Sequence, residues 1–166
     1  MGSPPSVDRF VIRRASQEDG EGILSCLAAA FEQYAGAYTP GAYADTTLTR
    51  ETVGDRIDHA AVFVAIDLAG QVAGTVGVEF HSRQTAHLRG MAVLPEYQGT
   101  GLARRLLAEA EAEGARCGRT RMTLDTTEPL ERAARFYERN GYRRTGRVTD
   151  FFGMPISEFV KRLSGV

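Results

Sequence analysis

The chain contains no tryptophan, three histidines and two cysteines in 166 residues, and Lys161 is its only lysine among 20 basic side chains. Each scarcity excludes something. Cys26 and Cys117 form no CxxC pair and no cluster with histidine, so neither a disulfide framework nor a zinc site is expected, and a reducing, cytoplasmic location fits best. Twenty basic against 21 acidic residues leave a net charge of -1. Such a chain has no global field for nucleic acid or an anionic membrane, and neither is an expected partner. Any anion it binds must be held locally. No apolar run approaches the ~20 residues that span a bilayer, and the N-terminus lacks the features of a signal peptide. MGSPPS meets the loose Gly2-to-Ser6 myristoylation spacing, but its two prolines suit a flexible leader. The excess of arginine over lysine reads as compositional bias and carries no function.

What remains is ordinary globular composition, 43% hydrophobic and 25% charged. A leader over 1–8 and one domain over 9–166 are expected. RFVIRRAS from Arg9 reads as an edge strand. Ile23, Leu24, Leu27, Ala30 and Phe31 recur at helical spacing and predict an amphipathic helix from about Glu21 to Tyr34. The stretch from Tyr34 to Thr47, with Pro40 and three tyrosines (Tyr34, Tyr38, Tyr43), reads as a loop or short broken helix. Its tyrosines either line a pocket or pack the loop down. Ala61–Phe80 holds two β-branched runs around Asp67–Gly70, a hairpin, and Ala86–Leu94 adds a third strand. A helix is expected over Gly99–Arg116 with Gly118 as its stop, then a strand RMTLDT, a helix after Pro129 ending at Asn140-Gly141, and two closing strands. This order predicts an α/β fold, a mixed sheet covered by helices.

The most informative stretch is LPEYQGTGLARRLL, Leu94–Leu107, where glycines stand between a strand and a helix. Backbone N–H groups at a helix start lack internal partners, and the helix dipole adds partial positive charge. Gly99 and Gly101 let phosphate oxygens approach the main chain, and Arg104 and Arg105 lie within reach of outer phosphates. A tight turn alone is the other reading. The lysine and hydroxyl residue of a Walker loop are missing, and QGTGLA is not GxGxxG. A phosphate-bearing cofactor without metal-centred nucleotide chemistry is the expectation.

HLRGMAVLPEYQGTGLARRLL, with Gln98, Gly101 and Ala103 in a Gln-x-x-Gly-x-Ala core, resembles motif A of the GNAT N-acetyltransferase superfamily. LERAARFYERNGY, Leu130–Tyr142, resembles the motif that follows it in that family. The resemblance spans nearly the whole chain, with Ala86–Tyr142 the diagnostic part. It implies a mostly antiparallel sheet with one splayed parallel pair, and acetyl-CoA as co-substrate in the splay. By the same resemblance, Met91, Ala92 and Val93 would hydrogen-bond the pantetheine arm through the backbone. The pyrophosphate would sit on the loop running from Gln98 through Gly99, Thr100, Gly101, Leu102 and Ala103 to Arg104. No metal is implied.

Such a reaction needs an amine to lose a proton and a thiolate to gain one. Tyr137 matches the family's tyrosine and would be the acid, a core aromatic being the other reading. His87 stands where the histone-modifying branch has its glutamate, with Glu79 the rival base and His81 a weaker one; a water relay can replace all three. Leu130 stands where many relatives have asparagine, which removes a polar contact near the cofactor's arm, and TTEPLERAA does not favour a ribosomal-protein substrate. The leading expectation is acetyl transfer to a small amine or exposed amino group. A weakly active acyl-CoA sensor and transfer of a longer acyl group are the alternatives. FFGMPISEFV offers an apolar strand for pairing two copies, so homodimer and monomer both fit.

Overall fold

The computed structural model describes residues 9–164. The expected leader and its myristoylation pattern lie outside the described residues. Seven strands form one sheet in the order β1-β2-β3-β4-β5-β7-β6. They are β1 Val11–Arg14, β2 Ala61–Ile66, β3 Val72–Phe80, β4 Thr85–Val93, β5 Arg121–Thr127, β6 Arg143–Phe151 and β7 Met154–Arg162. The helices are α1 Gly20–Phe31, α2 Pro40–Thr47, α3 Arg50–His59, α4 Leu102–Arg116 and α5 Glu131–Arg139. Every neighbouring pair of strands is antiparallel except β4 and β5.

The period-2 alternation of β2 sorts its side chains between two helical layers. Ala61, Phe63 and Ala65 join Leu102, Leu106 and Ala110 of α4 in one core. Val62 and Val64 point the other way, into a second core with Ile23, Leu27 and Val53 of α1 and α3. Leu106 is fully buried, and burial of that kind contributes about 1.5–3 kcal/mol per side chain.

Three sequence expectations change, and one with two alternatives, the Tyr34–Thr47 stretch, resolves to the broken helix. The Gly99–Arg116 helix begins only at Leu102, because Gly99 and Gly101 have φ of 79° and 87°, outside the right-handed helical region. The Tyr34–Thr47 segment is a 3-10 turn over Glu32–Ala37 followed by α2, which starts where Thr39 caps the Ala42 N–H and Pro40 occupies the first turn. α3 was not expected at all. Its only apolar side chains, Val53 and Ile57, are one turn apart, and a Gly54 interrupts it; its cap, Thr49 with Thr52, supplies the start. Finally, FFGMPISEFV cannot serve as a free edge for a second copy, because β7 is paired with β5 on one side and β6 on the other. The sheet's outer strands are β1 and β6.

Candidate active site

β4 and β5 pair only through Thr85–Arg121, Ala86–Met122 and His87–Thr123. Beyond His87 the two strands diverge, while β4 stays registered on β3 as far as Val93. The register slips by one residue between Thr75 and Gly77, opposite Gly90, whose φ of 60° forms the bulge. The β5-facing edge of Met91, Ala92 and Val93 thus has no strand partner, and it borders a cleft of about 790 Å³. That size suits a cofactor-sized ligand.

The glycine loop closes one end. Gln98, Gly99, Gly101, Ala103 and Arg104 line the cleft. The Arg105 N–H closes the first helical turn onto the Gly101 carbonyl at 3.2 Å, so the amides of Leu102, Ala103 and Arg104 precede the helix's own ladder. A Cβ at Gly99 or Gly101 would meet nothing within 4 Å. Backbone conformation and open space, rather than crowding, therefore dictate glycine at both positions. Leu102 buries its side chain in the core, and Thr100 turns its hydroxyl onto the Tyr97 carbonyl at 2.5 Å; the loop offers their main chain, not their side chains. Arg132 and Arg139 of α5 line the same cleft as Arg104.

Tyr137 is buried on α5, between Phe136 and Tyr142, and its hydroxyl donates to Met91 Sδ at 3.5 Å. Burial pushes its pKa well above the ordinary tyrosine value, so the phenol keeps its proton at neutral pH. Sulfur is a weak acceptor. The proton is held loosely, facing the unpaired stretch of β4.

The three candidate bases are brought together. Glu79 and His87 are direct partners across β3 and β4, and His81 stacks on His87 at 4.6 Å. His87 Nδ1 lies 2.7 Å from Thr123 Oγ1, and Nε2 lies 3.4 Å from Asp125 Oδ2. Thr123 Oγ1 also donates to the Ala86 carbonyl at 3.5 Å, and both ring nitrogens of His87 face polar neighbours. Glu79 is half-buried on the cleft wall, with Oε1 3.3 Å from His81 Nε2 and 3.6 Å from Arg89 Nη1.

Of the tyrosines, Tyr34 and Tyr38 line the cleft, and the buried Tyr38 hydroxyl meets Thr127 Oγ1 at 2.6 Å. Tyr43 packs on Tyr38 instead. Phe151 reaches the cleft; Phe152 lies over Gly41, outside it. Sequence reasoning missed Thr123 and Asp125, which sat in a strand read only as a strand. It also missed Arg56 and Asp45, which belong to helices with little apolar periodicity.

The model of the acetyltransferase (GNAT) family matches residues 24–142. The chain belongs to this family of N-acetyltransferases. An uncharacterized N-acetyltransferase of Chlorobaculum tepidum is 32% identical over 74 residues, 45% of this chain and 48% of that protein, so the match spans about half of that relative's length. PaiA N-acetyltransferase from Thermoplasma acidophilum, solved in complex with coenzyme A, superimposes with a TM-score of 0.76 at 21% identity, over 92% of this chain and 98% of that one. The yncA protein of Salmonella typhimurium, solved with its cofactor acetyl-CoA, gives 0.72 at 21% identity over 95% of each chain. These likenesses establish the GNAT fold.

The residues present fit a coenzyme A ligand. An open strand edge suits an amide-bearing arm, a glycine loop ahead of a helix suits a pyrophosphate, and Arg104, Arg132 and Arg139 are among the five arginines that line the same cleft. Among the described residues no cluster of His, Cys, Asp and Glu is arranged to hold a metal ion, and no helix is long and apolar enough to cross a membrane.

Proposed function

We propose that this GNAT family member transfers an acetyl group from acetyl-CoA to a primary amine, with residues 9–166 acting as one catalytic domain. The observation that carries the reading is the parting of β4 from β5 beyond His87, flanked by the glycine loop and by Tyr137. Bound acetyl-CoA supplies an acetyl thioester that an amine attacks directly, forming the amide bond as the carbon–sulfur bond breaks. Met91, Ala92 and Val93 offer backbone groups to its arm, and the main chain from Gln98 to Arg104 receives the pyrophosphate.

The protein's remaining task is proton movement. Glu79 takes the proton from the incoming ammonium, directly or through one water, because its carboxylate faces the cleft while both His87 nitrogens are engaged. His87 holds that wall in place, braced by Thr123 and Asp125, and His81 shares the Glu79 carboxylate. Tyr137 gives its proton to the departing sulfur, exchanging a weak thioether acceptor for a thiolate. Cys26 and Cys117 are both free thiols, which supports a reducing compartment such as the cytoplasm.

The test is release of free CoA from acetyl-CoA, measured against a panel of primary amines with mass detection of the acetylated product. Amine-dependent release with a matching product supports the reading. Saturable acetyl-CoA binding with no product from any amine would make the chain an acyl-CoA-binding module instead.

A further inference from the structure

The cleft wall formed by α2, α3, β3 and the middle of β4 carries four charged side chains, Asp45, Arg56, Glu79 and Arg89. Three of them are tied together. Arg89 Nη2 reaches Asp45 Oδ2 at 3.2 Å, Arg89 Nη1 lies 3.6 Å from Glu79 Oε1, and Glu79 is shared with His81. The Arg56 side chain makes no hydrogen bond or ion pair with any described residue, while its backbone carbonyl accepts from the Ala60 N–H. Its guanidinium lies against Gly90, where a Cβ would come within 2.6 Å of Nη1. Gly90 therefore serves twice, adopting the bulge's positive φ and leaving the space that Arg56 fills on its way to the cleft.

That guanidinium is poorly placed without a ligand. Burial and the neighbouring Arg89 hold its pKa below the ordinary arginine value, so its charge is partly desolvated and repelled. Asp45 and Glu79 act on it only at longer range, and Arg89 already engages both. A desolvated charge in a cleft with no partner favours an incoming counter-charge, and a guanidinium fork matches a carboxylate in two parallel hydrogen bonds.

We propose that Arg56 receives a carboxylate of the acceptor, so that the substrate class is a primary amine that also bears a carboxylate, as amino acids do. This rests on the acetyl-transfer reading above. Arg56 and Arg89 balance Asp45 and Glu79 on this wall, so a carboxylate adds one negative charge to it where a dianionic phosphate adds two. Tyr34, Tyr38 and Phe151 on the same cleft give the carbon skeleton apolar walls. A polyamine acceptor would add positive charge beside Arg56 and Arg89.

The experiment compares L-phenylalanine and L-leucine with their amides and with phenethylamine and isoamylamine, by amine-dependent CoA release, in wild type, Arg56→Gln and Arg56→Lys. Calorimetry with CoA comes first. Wild type that fails to bind CoA would overturn the acetyl-transfer reading and this proposal with it. With CoA bound, the expected result is a preference for the acids over their amides of at least 10-fold. In Arg56→Gln the KM for the acids rises about 10- to 100-fold, the KM for acetyl-CoA does not change, and Arg56→Lys recovers part of the loss. Equal use of acids and amides by wild type, or a preference that survives Arg56→Gln, overturns the proposal. If none of the six amines is acetylated, binding of N-acetyl-leucine and its amide to the CoA-saturated protein decides: tighter binding of the acid, lost in Arg56→Gln, supports the proposal, and no difference overturns it.

Discussion

At the scale of single residues, the account turns on where protons are held. Tyr137 makes one polar contact, to a thioether, so Tyr137→Phe removes a weak hydrogen bond and little packing. It should cost less than about 1 kcal/mol of stability. Turnover should fall about 10²- to 10⁴-fold with acetyl-CoA affinity retained, as loss of a general acid requires. Steady-state kinetics beside calorimetry separates the two effects, and an unchanged kcat would return Tyr137 to the core. Glu79→Gln should depress kcat by a comparable factor with acetyl-CoA affinity retained. An unchanged kcat would point to His87 or His81. Tyr137, His87 and Glu79 could be named as candidates from sequence because the first two sit in recognisable motifs and the third lies near the end of a strongly β-branched strand. Arg56, Thr123 and Asp125 were not, since they come into view only through contacts across 34 to 38 residues of chain that no local pattern encodes.

Elements position these residues, and their boundaries follow from local chemistry where that chemistry is strong. Glycines at 118 and 141, with φ of 81° and 94°, end α4 and α5 as the sequence predicts. The hairpin turn after β2 is likewise legible, with the Asp67 carboxylate accepting from the Ala69 and Gln71 amides. The parting of β4 from β5 was reached only through family resemblance, because nothing in either strand's composition marks where pairing stops. The junction between β1 and α1 gives a pH prediction. Asp19 accepts two hydrogen bonds from Arg13, at 2.8 and 2.9 Å, and one from the Ser16 amide. The Arg13 bond holds its pKa below the ordinary aspartate value. A depressed folded-state pKa contributes stability that is present above the unfolded pKa, near 3.8, and is lost as pH falls through the folded value. Asp19→Asn should cost at most about 1 kcal/mol at pH 7, Arg13 being half exposed. The difference from wild type should shrink as pH falls below 3.8 in acid denaturation, and a cost independent of pH would contradict this.

For the whole molecule, β7 is the strand that joins the two halves. It lies between β5, which carries Thr123 and Asp125, and the outer strand β6, and its Phe159 is fully buried among Leu124, Tyr137 and Tyr142. Phe159→Ala should cost about 3–5 kcal/mol in denaturant unfolding, a large share of the stability of a domain this size. A loss below 1 kcal/mol would mean that β7 is dispensable to the core. The sequence announced two closing strands but not that the last one inserts inside the other, because strand order is set by packing at long range and not by periodicity. The central claim is that the splay and its glycine loop bind acetyl-CoA, and calorimetric titration of wild type and Gly101→Glu tests it most directly. The account predicts saturable binding by wild type and its loss in the variant, with native circular dichroism in both. Absence of binding by folded wild type, or equal binding by Gly101→Glu, would contradict it.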